Sequence, residues 1–119
     1  MGSIIEFDYT PEFLKSAKIL SKRYRSFSDD LKLLRDEIVK NPTQGDDLGY
    51  GIRKIRMAIK SKGKGKRGGA RVITLTVEID QSNSKVTFLY AYDKSDMTNV
   101  SDAKIKQIIA DNNLEIPKN

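Results

Sequence analysis

The segment between Asp47 and Glu78 contains nine basic residues and no acidic one, whereas the rest of the chain has an excess of acidic residues. Like charges at this density repel each other unless a polyanion binds them, so the segment favours a phosphate-rich partner. Glycine-spaced cations suit the many loose contacts of a phosphate chain, although a solvated basic loop is the simpler alternative. The cations of the stretch KSKGKGKRGG that we expect to bind phosphates are Lys60, Lys62, Lys64, Lys66 and Arg67.

Within that stretch, the residues from Gly63 to Gly68 match the G-x-G-x-x-G pattern of a dinucleotide-binding loop. Such a loop requires a strand before it and a helix directly after it, because the helix N-terminus binds the pyrophosphate. The residues that follow here, ARVITLTVEI, have the composition of a strand instead. A P-loop is excluded too, because no Gly-Lys-Ser/Thr follows the required spacer.

Two further cations precede the glycine-rich stretch in a strand-like run. Side chains alternate along a strand, so Lys54 and Arg56 share one face while Ile55 and Met57 occupy the other. After the stretch, Arg71 is an even number of positions from the apolar residues of the next strand, so it shares their face of that strand. We therefore expect it at the uncovered end of that strand, able to approach Lys54 and Arg56 only if the sheet twists or curls.

The overall composition narrows the classes of site that the chain can hold. The 119 residues predict a single domain spanning residues 1–119. The chain has no histidine, the commonest general base and transition-metal ligand, and no cysteine for a disulfide or a thiolate. No run of 18 apolar residues is present, so we expect no membrane association and a cytoplasmic location.

The elements that must position these cations follow the order β-α-α-β-β-β-α. This order predicts an α+β fold: a small, mostly antiparallel sheet with two N-terminal helices packed on one face and a short C-terminal helix. The other face should remain open and positive. TQGDDLGYG predicts a turn-rich connection between the second helix and the sheet. The predicted strands cover residues 4–9, 52–59, 72–79 and 86–92, and the predicted helices begin near Thr10, Ser28 and Ser101.

In this arrangement the chain resembles the RelE/HigB branch of type II toxin–antitoxin toxins. The resemblance covers roughly residues 45–110, and its most specific parts are GIRKIR, GKRGGARVI and YDKSD. It implies a RelE-like fold and an endoribonuclease that enters the ribosomal A site and cuts mRNA there. It also implies a cognate antitoxin, for which we expect a small helix-turn-helix protein encoded nearby.

The resemblance also indicates which residues form the active site. Family members keep cations on the second strand, at the start of the third and just after the fourth. Many relatives carry a tyrosine or a histidine near the active site as well, but the segment SDMTNVS has neither. The matching cations in this chain, which we predict to be catalytic, are Lys54, Arg56, Arg71 and Lys94.

RNA cleavage of this kind uses the 2′-hydroxyl of the substrate as nucleophile. The enzyme must accept its proton, stabilise the negative charge of the transition state and protonate the 5′-oxygen. Arginines suit the second task because the guanidinium holds two phosphate oxygens, which favours Arg56 and Arg71 for the scissile phosphate. Lys54 is a candidate base, since neighbouring positive charge disfavours the ammonium form, and Lys94 a candidate acid or charge stabiliser.

Several alternatives stay open at this point. The proton acceptor is not fixed, and Tyr90, Tyr92 and Asp93 are the next candidates after Lys54. No carboxylate cluster suited to Mg²⁺ lies in the basic segment, so we expect neither a metal nor a cofactor. The whole-protein alternatives are a ParE-like toxin, which inhibits a topoisomerase without cutting RNA, and a non-catalytic nucleic-acid-binding module.

Overall fold

The computed structural model describes residues 4–117 and confirms the predicted α+β architecture. Its single sheet has the strand order β1-β5-β4-β3-β2, in which β1 runs parallel to β5 and all other neighbours are antiparallel. Within residues 4–117, no helix is long and apolar enough to cross a membrane. The elements are β1 (Ile4–Tyr9), α1 (Pro11–Arg23), α2 (Phe27–Lys40), β2 (Asp46–Gly49), β3 (Ile52–Met57), β4 (Ala70–Glu78), β5 (Asn83–Asp93) and α3 (Asp102–Asp111).

Helices α1 and α2 cover one face of the sheet, as predicted. The Thr10 hydroxyl accepts a hydrogen bond from the Phe13 amide at 3.0 Å, and Pro11 occupies the first helical turn, where its missing N–H leaves no bond unmade. The apolar stripe of α1 and that of α2 then pack on the same face of the sheet. The core between them is built around Phe13, Leu20, Phe27, Leu34, Ile38, Val72 and Phe88.

The opposite face is not open along its whole length, which corrects the expectation from the sequence. Helix α3 packs there, and its residues Ile105 and Ile108 form a second core with Ile73, Leu75 and Leu89. The physical reason is that β4 and β5 carry apolar side chains on both faces, and this second set also has to be removed from water. On this face, Arg56 near the end of β3 stays exposed, although Arg71 and Tyr92 beside it are buried.

A bulge in β5 determines which side chains reach that end of the sheet. Ile73 pairs with Tyr90 and Thr74 with Phe88, so Leu89 is an extra residue on β5. Beyond the bulge, each side chain of β5 therefore points to the face opposite to the one that unbroken alternation would give. Phe88 packs with α1 and α2, whereas Tyr92 belongs to the core under α3.

Strand β2 is a second difference from the expectation, because the sequence predicted only a turn-rich connection in this segment. Asp46 pairs with Lys54 and Asp47 with Arg53, so β2 forms an edge strand beside β3. The reversal between the two strands uses left-handed backbone at Gly49, Tyr50 and Gly51. Glycine adopts this conformation without strain, which is why a tight turn forms here.

Candidate active site

The four predicted catalytic cations come from β3, from the start of β4 and from the residue after β5, and we call Lys54, Arg56, Arg71 and Lys94 the cationic corner. Arg56 pairs directly with Arg71, and the Lys94 amide donates to the Gly69 carbonyl at 3.0 Å. Directly opposed residues of an antiparallel pair point to the same face. Strand pairing alone therefore places Arg71 beside Arg56. The twisting or curling of the sheet that we expected from the sequence is not needed for this. Lys54, opposite Ile73, shares this face.

Within the corner, Arg56 is the exposed guanidinium and Lys54 is half-buried. The Lys54 ammonium lies 3.4 Å from the side-chain oxygen of Asn99, in the segment that leads from β5 to α3. Neither side chain enters a hydrophobic core, which agrees with the alternation predicted from the sequence. The corner thus presents one arginine and one lysine from a single strand to solvent.

Arg71 has a different environment from the one that a phosphate-binding arginine needs. It is only 5% exposed, and its guanidinium donates to the carbonyls of Lys66, Arg67 and Ala70 at 3.0–3.1 Å. Burial, and then the charge of Arg56, lower the pKa of Arg71, although an arginine stays charged at any physiological pH. Its hydrogen bonds fix the end of the basic loop beside the corner.

The basic loop from Lys60 to Gly69 is anchored at both ends. At its start, the Lys60 amide donates to Asp30 at 3.1 Å and the Ser61 amide donates to the Ser26 hydroxyl at 2.8 Å. At its end, a Cβ on Gly69 would lie 2.2 Å from the Met57 carbonyl, so only glycine permits this close approach to β3. The loop cations that remain exposed are Lys60, Lys64, Lys66 and Arg67.

Lys62 does not join those exposed cations, because its ammonium is bound to Asp93. The Nζ–Oδ1 distance is 2.7 Å, and the same ammonium donates to the Ser95 hydroxyl at 2.6 Å. Asp93 also accepts from the Tyr24 hydroxyl and from Arg23, at 3.0 Å. Lys62 therefore belongs to a hydrogen-bonded network inside the fold, and the basic loop is not a uniformly flexible arm.

The structure also describes the alternative proton acceptors named from the sequence. Although burial raises the pKa of Asp93, hydrogen bonds led by that from Lys62 outweigh it and hold this pKa well below its usual range. Burial raises the pKa of Tyr92, whose hydroxyl has no hydrogen-bond partner among residues 4–117. The Tyr90 ring lies 4.8 Å from the Lys104 ammonium of α3. Neither Asp93 nor Tyr92 is placed to accept a proton from a large substrate.

Asp46 is the residue of this site that the sequence analysis missed. It lies directly opposite Lys54 and is exposed. Together with Lys54, Arg56 and Lys66 it lines a surface depression of about 400 Å³. The signal that could have found it is the glycine-rich turn of GYG, which predicts a hairpin and so a partner strand for the strand of Lys54. Nowhere in residues 4–117 do three His, Cys, Asp or Glu side chains group as a metal site would require.

A comparison with known protein families adds an independent finding. The sequence model described as "RelE toxin of RelE / RelB toxin-antitoxin system" matches residues 14–115. The match begins in α1 and ends beyond α3, so it includes the cationic corner, the basic loop and Asp46. It therefore covers most of the chain, and the same fold elements that build the site.

Proposed function

The chain belongs to the RelE family of toxin–antitoxin toxins, and we propose that it is a ribosome-dependent mRNA endoribonuclease. Membership of this family implies an antitoxin partner. The finer proposal is that the toxin acts in the cytoplasm, cuts mRNA in the ribosomal A site and thereby inhibits translation. A small helix-turn-helix protein would serve as the neutralising antitoxin.

The observation that carries the proposal is the exposed guanidinium of Arg56 in the cationic corner. Arg56 faces solvent while its neighbour Arg71 is buried, and Lys54 stands on the same strand and face. RNA brings its own nucleophile, so a site that holds the phosphate and stabilises developing negative charge supplies much of the catalysis. We assign Arg56 to the scissile phosphate and Lys54 and Lys94 to charge stabilisation or proton donation.

The basic loop supplies the second part of the proposal, which is binding to the ribosome and its mRNA. Lys60, Lys64, Lys66 and Arg67 extend from a loop whose two ends are fixed. Contacts to phosphates add affinity without sequence preference, as a toxin that meets many mRNAs requires. Arg71 becomes a positioning residue in this scheme, because it holds the Lys66 and Arg67 backbone beside Arg56.

The test is cleavage of an mRNA on ribosomes by the purified chain, with cut positions mapped by primer extension. We expect discrete cuts with the wild type, and a rate about 10²–10³-fold lower with Arg56→Ala, the usual scale for loss of one transition-state donor. Arg25→Ala is the matched control, because Arg25 is exposed in the turn after α1, on the helix side of the sheet. It should cleave like the wild type.

Two outcomes would contradict the proposal. Intact mRNA together with inhibition of a topoisomerase would support the ParE-like alternative instead. RNA binding without cuts and without any growth defect on expression would indicate a non-catalytic binding module.

A further inference from the structure

The proposed reaction needs a proton acceptor, and the chain offers no histidine for this task. Asp93 is enclosed by four donors and Tyr92 is buried, so neither can approach a ribose hydroxyl. Tyr90 packs against the core under α3, and Lys54 borders, together with Arg56, a surface depression at this edge of the sheet. The carboxylate that lines this depression belongs to Asp46.

The pairing of β2 with β3 fixes where that carboxylate lies. Asp46 is directly opposite Lys54, a position in which the two Cβ atoms are about 5 Å apart on the same face. Among residues 4–117, no ion pair involves Asp46, and the Lys54 ammonium is directed to Asn99 instead. By contrast, the adjacent Asp47 is paired with Arg53 at 3.9 Å.

We infer that Asp46 is the catalytic base of the proposed endoribonuclease, an inference that rests on that proposed function. The Asp46 carboxylate accepts the proton of the 2′-hydroxyl as the O2′–P bond forms and the P–O5′ bond breaks. The 5′-oxygen takes a proton from the ammonium of Lys94. The products are a 2′,3′-cyclic phosphate and a 5′-hydroxyl, and solvent restores both protonation states.

The strand order supports this division of roles. Attacking and leaving oxygens lie roughly in line through phosphorus, so base and acid must approach from opposite sides. Across the order β2-β3-β4-β5, Asp46 lies on one side of the Arg56–Arg71 pair, and Lys94, at the end of β5, lies on the other. A phosphate bound at Arg56 would therefore lie between the two.

The charged groups that face Asp46 are all cationic. They are Lys54 and Arg56 from β3, Lys66 from the basic loop, and Arg71 from β4, whose charge interacts with that of Asp46. A carboxylate oxygen can accept a proton, whereas a charged ammonium or guanidinium can only donate. The same cations hold the substrate phosphate against it, so the base and the charge stabilisers occupy a single depression.

The experiment compares Asp46→Asn with Asp47→Asn in single-turnover cleavage on mRNA-programmed ribosomes at about pH 7. Loss of a general base costs about 10²–10⁴-fold, so Asp46→Asn should lose this much rate. Asp46→Glu, which keeps a carboxylate, should recover part of the rate. Asp47→Asn, the neighbouring control, should cleave within about threefold of wild type because the Asp47 carboxylate is exposed and its pair with Arg53 is long.

The outcomes separate this inference from the proposed function. If the wild type cleaves and Asp46→Asn matches it, the base lies elsewhere while the endoribonuclease stands. Equal losses in Asp46→Asn and Asp47→Asn would overturn the inference by indicating a damaged hairpin. If the wild type makes no cuts, the proposed function fails, and the inference with it.

Discussion

Two neighbouring arginines have opposite environments at the cationic corner. Arg56 is exposed and free to bind an anion, whereas Arg71 is buried and donates to three backbone carbonyls. A guanidinium can do this because its planar fork carries several donors in fixed directions, which an ammonium lacks. The two residues therefore test different functions when they are replaced.

Arg71→Lys should keep the positive charge but lose most of the hydrogen bonds to the loop backbone. We expect faster amide hydrogen exchange across residues 64–69 and cleavage lowered by about 10-fold or more, because misplaced loop cations no longer stand beside Arg56. Hydrogen exchange followed by mass spectrometry and single-turnover cleavage measure the two effects. If cleavage is lost while hydrogen exchange in the loop is unchanged, the result would instead indicate that Arg71 contacts the scissile phosphate.

At the scale of elements, the basic loop is anchored at both ends and carries exposed cations between them. Lys62 is bound to the buried carboxylate of Asp93, while Lys64 and Lys66 reach into solvent, with Lys66 3.4 Å from Glu37. The exposed pair Lys66–Glu37 is weak enough to give way to a phosphate. Cations that look equivalent in the sequence therefore differ in what they can bind.

Lys64→Ala and Lys66→Ala should make ribosome binding less dependent on salt. Each phosphate contact that is lost reduces the slope of log K against log salt by roughly 0.7–0.9. Lys62→Ala is the matched comparison, and it should leave this slope unchanged while lowering the melting temperature. Titrations at several salt concentrations decide the matter. Equal slopes for all three variants and the wild type would mean that the loop contacts no phosphate.

For the whole molecule, Asp93 connects three parts of the fold that are distant in sequence. It receives hydrogen bonds from Arg23 at the end of α1, from Tyr24 and from Lys62 in the basic loop, and its side chain is fully buried. These bonds hold the loop and α1 against the end of β5. A buried carboxylate with this many donors makes the stability of the fold depend on its charge.

Asp93→Asn should lower the free energy of unfolding by about 3 kcal/mol at pH 7, since it leaves the largely buried Lys62 ammonium without its anion, whereas Arg23 keeps its pair with Asp96. Because the folded protein depresses the pKa of Asp93, its contribution is present above about pH 4, the unfolded value, and is lost as the pH falls further. Urea unfolding at pH 7 and pH 3 should therefore show a smaller pH effect in Asp93→Asn than in wild type. An equal pH effect in both proteins would contradict this role.

The sequence by itself determined the features that depend on local periodicity and on charge. Alternation along β3 separated Lys54 and Arg56 from Ile55 and Met57, and the Thr10–Pro11 pair marked the start of α1. The strand composition after Gly69 excluded a dinucleotide loop, and β4 does follow there. These features are determined by residues close together along the chain, so tertiary context did not change them.

Only the tertiary structure decided which side chains meet. The β5 bulge shifts the alternation of one strand by one residue, and with it the faces on which Tyr92 and Asp93 lie. The pairing of β2 brings Asp46 opposite Lys54, and burial turns Arg71 from solvent to the loop carbonyls. Register, burial and the partner of a charge all depend on contacts between distant segments. These properties are therefore fixed only when the whole chain packs. Lys62 and Lys64 look alike in the sequence, and they differ in the fold because Asp93 binds Lys62.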